Sequence, residues 1–239
     1  MRGEISSGRV DKRHPYDWYI EPQWVTEQLI RAIGFREELT HGEAIWDPCC
    51  GLGNIPSVFE GWGFGGRVWL SDIVRNVDAG NFVEAFEFFS ADFLEVEKAP
   101  SRCSIVCNPP YSYCKGAGRY AGMLISEAFA RHALKLVRAC GGRRVCMLLP
   151  SKWLASQARY RLFTEHPPLA VLHLCQRPSM PPGDRIAAMG NRAFRGGMVD
   201  YCWIVWDAAR AVRFGETRTV WLPPLGEPVP PIAFERAAA

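Results

Sequence analysis

Apolar positions along the chain alternate between short unbroken runs and longer stretches with a beat of three to four residues. Val25, Leu29 and Ile33 recur at spacing four behind Pro22, which suits a first helical turn, and predict an amphipathic helix over 22–38. Residues 44–46 form a short apolar strand ending in Asp47-Pro48. A glycine turn over 51–54 follows, then a helix over 55–60 that Gly61 and Gly63 end. Residues 67–70 are the second strand, closed by Ser71-Asp72. The stretch 83–89 predicts a short helix and then a small strand running into Ala91-Asp92. Residues 104–107 are a further strand, 112–119 a polar loop, and 120–139 a helix with Leu124, Ala128, Ala133, Leu136 and Val137 on its apolar stripe.

Gly141-Gly142 stops that helix, and the wholly apolar run within 144–149 predicts a strand buried on both faces. A helix over 152–163, strand six over 169–175 and strand seven over 201–206 follow. Between the last two lies 176–197, broken by prolines and glycines and carrying four arginines, which reads as a loop or small excursion. Residues 219–222 can add a last strand before a proline-rich tail. Strands alternating with helices predict an α/β fold, a mostly parallel sheet of seven strands with helices on both faces. The missing helix between strands six and seven predicts that strand seven is antiparallel.

At 239 residues and 48% hydrophobic content, one core spanning 1–239 is expected. The first residues lack an apolar leader core and no run is long enough to span a bilayer, so a cytoplasmic protein is expected. The nine cysteines are scattered and odd in number. They read as small buried hydrophobes in a reducing compartment, without zinc spacing and with no metal expected. The net charge of +3 hides a segregation: 141–197 holds nine basic residues against two acids, which leaves the remainder at −4. Such a segment suits a phosphate-bearing partner.

The candidate chemistry sits at strand ends. Asp47-Pro48-Cys49-Cys50-Gly51-Leu52-Gly53-Asn54 follows strand one, and its glycines let backbone approach a ligand where open sheets bind them. Pro56 stands where a dinucleotide fingerprint wants a third glycine, and Asp47 would repel a pyrophosphate, so a nucleoside with a positive or zwitterionic tail fits better. Asp72 ends strand two in the place of a ribose-binding acid. Asp92 with Phe93 can accept from an adenine amine and cover its ring. Asn108-Pro109-Pro110-Tyr111 follows strand four. The Asn108 side-chain oxygen and the Pro109 carbonyl can hold an exocyclic amine with its lone pair aimed at an electrophilic carbon, while Tyr111 stacks on the ring.

Together these segments resemble class I S-adenosylmethionine-dependent amino-methyltransferases, specifically the DNA adenine-N6 group and its small prophage-type members. The latter are echoed in Leu148-Leu149-Pro150-Ser151-Lys152-Trp153-Leu154 and Arg177-Pro178-Ser179-Met180-Pro181-Pro182. The resemblance implies a single Rossmann-like methyltransferase domain with S-adenosylmethionine as cofactor, held by Trp18, Tyr19, Pro22, Asp47, Cys49, Gly51, Gly53, Asn54, Asp72, Ile73, Asp92, Phe93 and Asn108. Residues 1–40 are then a cofactor lid and helix. Double-stranded DNA is the implied partner, its adenine flipped into the Asn108–Tyr111 cup, with no membrane involvement. Lys115, Arg119, Lys152, Arg177, Arg185, Arg192 and Arg195 are the expected nucleic-acid contacts. The chain lacks the long target-recognition domain usual in restriction-type members. Either 176–197, with the helix over 152–163, is a minimal recognition element, or an accessory protein supplies specificity, or the target is not duplex DNA. RNA adenine or guanine, or a protein glutamine amide, are alternative acceptors for the same cup. A non-catalytic nucleic-acid-binding module is the reading from a different class.

Overall fold

The computed structural model describes residues 16–76, 88–111, 118 and 120–234. Eight strands form one sheet: β1 (Ala44–Asp47), β2 (Val68–Asp72), β3 (Phe88–Ser90), β4 (Cys103–Cys107), β5 (Arg144–Pro150), β6 (Ala170–Leu174), β7 (Tyr201–Asp207) and β8 (Arg218–Leu222). Their order is β3-β2-β1-β4-β5-β7-β6-β8. The first five pair in parallel, and β7 runs antiparallel to both β5 and β6. The mostly parallel sheet with an antiparallel strand seven is therefore as expected. The count is eight rather than seven, because β8 adds in parallel to the outer edge of β6.

Successive residues of a strand face opposite sides of a sheet, and here both sides are apolar. On one face Ile45, Val106, Cys146, Leu148, Trp203 and Val205 pack with α1 (Gln23–Ile33) and α3 (Asn54–Phe59) through Leu29, Ile55 and Phe59. The alternate residues Trp46, Ile105, Met147, Leu149 and Ile204 pack with α4 (Ile125–Ala139) and α5 (Tyr160–Glu165) through Phe129, Leu134 and Leu162. This two-sided burial explains why β5 and β7 read as unbroken hydrophobic runs. Each fully buried leucine or phenylalanine contributes roughly 1.5–3 kcal/mol, so the sheet's interior strands form a stiff platform for whatever their ends carry.

Three expected helices are shorter than their apolar periodicity suggests. α1 stops at Ile33 because Gly34 takes φ 60° and ψ 153°, and the chain restarts as α2 (Arg36–Thr40). α4 begins at Ile125, after turns over 120–124, so the helix expected from 120 loses its first residues. The helix expected over 152–163 is a tight turn over Ser151–Leu154 and then α5. Ala155, extended at φ −103° and ψ 102°, separates the two. The excursion 176–197 carries only the single turn α6 (Ile186–Met189) with tight turns at either side. The helix expected near 83 and, apart from residue 118, the loop expected over 112–119 lie outside the described residues. Among the described residues, no helix is long and apolar enough to cross a membrane.

Candidate active site

After β1 the chain builds outward through β2 and β3, and after β3 it returns to β4 on the other side of β1. A crevice opens outside the strand ends at such a reversal. β1 ends in Asp47, β2 in Asp72, and Asp92 and Asn108 follow β3 and β4. All four side chains line one cavity of about 360 Å³, the size of a small-molecule site.

A strap formed by residues 16–21 makes another wall. It is tied to the basic excursion: Tyr19 bridges Pro182, Ile20 N donates to Pro181 O at 3.0 Å, and Gly183 N donates to Trp18 O at 3.0 Å. Asn54 Nδ2 donates to Glu21 O at 2.6 Å, which ties the strap to the start of α3. Gly51 is required where it stands. Its φ is 52°, and a Cβ there would meet Ile20 Cδ1 at 2.9 Å and Trp18 Nε1 at 3.1 Å.

Five carboxylates, Asp17, Glu21, Asp47, Asp72 and Asp92, line the cavity, and among the described lining residues there is no lysine, arginine or histidine. Burial pushes Glu21 up to about 7. It holds Asp47 well above the usual carboxylate range, and the neighbouring Glu21 raises Asp47 further. Burial also raises Asp72, although Gly51 N at 2.9 Å and Ile73 N at 2.7 Å donate to its oxygens and oppose the shift. Acids buried without a cation beside them are poorly stabilised. This cavity therefore favours a cationic or zwitterionic guest, and Asp72 at the strand-two end can accept ribose hydroxyls. Phe93 and Phe129, with ring centroids 4.8 Å apart, give it an apolar floor suited to a flat ring.

The Asn108 side chain is fully engaged. Its Nδ2 donates to Glu21 Oε2 at 2.9 Å and to Tyr19 O at 3.0 Å. Its Oδ1 accepts from the Tyr111 hydroxyl, which also reaches Leu148 O at 3.3 Å. Tyr111 is thus turned in toward the sheet, its ring 6.5 Å from that of Tyr201 and its backbone N–H donating to Asp17 Oδ2 at 2.8 Å. The expected ring face does not line the cavity, and an incoming amine would have to use the second lone pair of Oδ1 or take the place of the tyrosine hydroxyl.

Of the other expected site residues, Trp18, Tyr19, Cys49, Gly51, Ile73, Phe93 and Pro110 line the cavity. Pro22, Gly53, Asn54 and Pro109 do not. Pro22 caps α1, and Gly53 supplies the left-handed turn before α3. Asp17, Glu21, Ile125 and Phe129 also line the cavity and are not among the expected contacts, although Glu21 belongs to the segment expected to cover the cofactor. The two acids lie beside Trp18 and Tyr19 and were visible as acids next to expected lid residues. Ile125 and Phe129 arrive from α4, and no local signal marks them. Lys152, Arg177, Arg185, Arg192 and Arg195 are exposed, with Arg177 paired to Asp200 at 2.6 Å. Lys115 and Arg119 lie outside the described residues. Three arginines counted in the basic surplus are buried instead. Arg143 pairs with Glu37 and Asp207, Arg144 pairs with Glu38, and Arg159 donates to Trp153 O. Long-range ion pairs made by the fold account for Arg143 and Arg144, so the phosphate-facing charge is smaller than composition implied.

No protein-family model matches the chain, and no curated protein matches it by sequence. Solved structures do, and the fold they share with it is that of class I S-adenosylmethionine-dependent methyltransferases. The chain is similar to the methyltransferase subunit of a type I restriction-modification system from Streptococcus thermophilus, at TM-score 0.57 and 14% identity over 81% of this chain and 46% of that one. A protein from Listeria monocytogenes described as a class I S-adenosylmethionine-dependent methyltransferase matches at TM-score 0.55 and 14% identity, over 86% of this chain and 65% of its own. The type ISP restriction-modification enzyme LlaBIII, solved bound to DNA, matches at 0.55 and 12% identity over 87% of this chain and 20% of its own. The chain thus spans about half the length of the first and two-thirds of the second.

Proposed function

We propose that this protein transfers a methyl group from S-adenosylmethionine to the N6 amine of adenine in DNA. The observation that carries the reading is the meeting of Asp47, Asp72, Asp92 and Asn108 in one acid-lined cavity. That cavity also meets the chemical requirements of the cofactor: an acid for the ribose, an apolar floor for the adenine, and carboxylates for the ammonium and sulfonium charges, with no cation among the described lining residues. When bound, the cofactor supplies an electrophilic methyl carbon on sulfur.

The protein's own residues position the acceptor. Asn108 Oδ1 would accept one amine hydrogen and the carbonyl of Pro109, which lies just outside the cavity lining, the other, so the nitrogen lone pair would be free to point at the methyl carbon. Fixed acceptors of this kind stabilise the positive charge that grows on nitrogen as the new N–C bond forms and the old S–C bond breaks. The amine gives up its proton afterwards, so no base has to act first. Stacking on the flipped base would require the Tyr111 hydroxyl to leave Oδ1 and Leu148 O and the ring to turn out toward the cavity. The exposed Lys152, Arg185, Arg192 and Arg195 would neutralise phosphates around the cavity. The strap's direct bonds to 181–183 would bring that basic excursion to the cofactor.

The deciding experiment is labelled methyl transfer to adenine-containing duplex DNA, to RNA and to glutamine peptides, with wild-type protein and Asn108→Ala. Transfer to DNA adenine that falls by about 10²–10³-fold in the variant, with cofactor binding retained, is the expected result. Transfer to RNA or peptide alone would replace the acceptor in this reading. Cofactor binding with no transfer to any acceptor would leave a non-catalytic binding module.

A further inference from the structure

A side-chain amide has two ends of nearly equal shape but opposite hydrogen-bonding sense, and its neighbours decide which end faces a ligand. In Asn108 that choice is made by two acceptors on the strap, Glu21 Oε2 and Tyr19 O. We propose that Glu21 is a positioning residue: its carboxylate holds the Asn108 amide in the one orientation that presents Oδ1 to the acceptor amine. The proposal rests on the methyl-transfer reading above and adds a residue that the strand-end motifs do not contain.

Several observations point this way. Glu21 is 6% exposed and lines the same cavity as Asn108. Its backbone carbonyl accepts from Asn54 Nδ2 at 2.6 Å, which fixes the strap where the side chain leaves it. With both Nδ2 hydrogens directed at acceptors, a flipped amide would set Oδ1 against a carboxylate and a carbonyl, which nothing could satisfy. An ionised carboxylate on Nδ2 also polarises the amide, making Oδ1 a better acceptor as the amine nitrogen becomes cationic. A neutral carboxyl, or the amide of glutamine, can both donate and accept. It would pair with Asn108 either way round and leave Tyr19 O alone to oppose the wrong orientation, which offers a donor to a donor.

The ionised form is therefore the active one, and burial places its titration near 7. The titratable groups facing Glu21 are Asp47 and Cys50 beyond β1, Cys107 at the end of β4, and Tyr111. Burial raises all four, so Asp47 is the competitor to exclude.

The test compares wild type, Glu21→Gln and Asp47→Asn in single-turnover transfer to adenine-containing duplex DNA at saturating cofactor, from pH 5.5 to 8.5. Wild-type rate is expected to rise with pH through about 7 and level off. Glu21→Gln is expected to be about tenfold slower on that plateau and flat across the range. Its melting temperature should be no lower than wild type, which separates slowing from misfolding. A rise that survives in Glu21→Gln and vanishes in Asp47→Asn overturns the proposal, as does an unchanged rate. A weakened cofactor affinity with unchanged saturated rate also overturns it, making Glu21 a cofactor contact only. A second readout needs no DNA: the Asn108 side-chain NH₂ signals in ¹⁵N-labelled protein, assigned through Asn108→Ser, should be protected from solvent exchange in wild type and lose that protection in Glu21→Gln. If wild-type protein methylates no DNA, the methyl-transfer reading fails, while the amide readout still decides the role of Glu21.

Discussion

The two edges of the sheet bury acids in opposite ways. At the edge where β1, β4 and β5 begin, each buried acid meets an arginine. Arg144 Nε lies 3.2 Å from Glu38, Arg143 Nε 3.2 Å from Asp207, and Arg102 Nε 3.4 Å from Glu43. At the edge where those strands end, Glu21, Asp47 and Asp72 are sunk into a cavity lined by no lysine or arginine among the described residues, and exposed arginines sit on the excursion outside it. Burial alone does not separate the two, since it raises Glu38 and Glu21 alike to about 7. The partner does. An acid that folding supplies with a cation serves the fold, and an acid left without one is stabilised only when a cation arrives.

The strongest way to break this contrast is to remove a cation from the paired edge. Arg144→Met should destabilise the fold by about 3–5 kcal/mol, because Glu38 is left buried and alone. A denaturant midpoint close to wild type would show that the pair is idle. The next is to remove a charge from the other edge. Asp47→Asn should weaken S-adenosylmethionine binding by about tenfold or more, measured by calorimetry, and yet raise the melting temperature of the ligand-free protein at pH 8. The sign follows from the raised folded-state pKa: ionising Asp47 opposes folding above its ordinary range, and the difference between the proteins should close near pH 4, where both are neutral. Destabilisation at pH 8 would put Asp47 with the structural acids. A smaller change sharpens the same point. Cofactor affinity of wild type should increase as pH rises through about 7, because ionised Glu21 favours the cation, and part of that increase should disappear in Glu21→Gln. Finest of all is the salt response of DNA binding: Arg185→Gln, Arg192→Gln and Arg195→Gln together should reduce its slope by up to about 3. An unaltered slope would remove the excursion from the DNA-binding surface.

Much of this was legible in the chain because strand ends are local. A run such as Cys103–Cys107 followed by Asn108-Pro109-Pro110-Tyr111 reports both the strand and what it delivers, and four such ends do meet in one crevice. What could not be read depends on contacts far apart in sequence. Counting charge placed Arg143 and Arg144 on a phosphate-facing surface, whereas partners 64 and 106 residues away, Asp207 and Glu38, draw them inside. The inward turn of Tyr111 depends on Leu148 O, which lies 37 residues on. The helix expected over 152–163 failed for a nearer reason. Its apolar spacing is helical, but the polar residues Ser156 and Gln157 open a turn that bonds Arg159 N to Ser156 O, and α5 starts only at Tyr160.

Gly183 packs so closely on the Trp18 indole that an added methyl would lie 2.2 Å from the ring, and the same residue bonds to the Trp18 carbonyl. If the proposed methyl transfer to DNA holds, base reading by 176–197 and cofactor retention by the strap would share this one junction of chain. Replacing 176–197 with a segment from another protein would then disturb the wall that residues 16–21 give the cavity, unless those residues were moved with it as a matched pair.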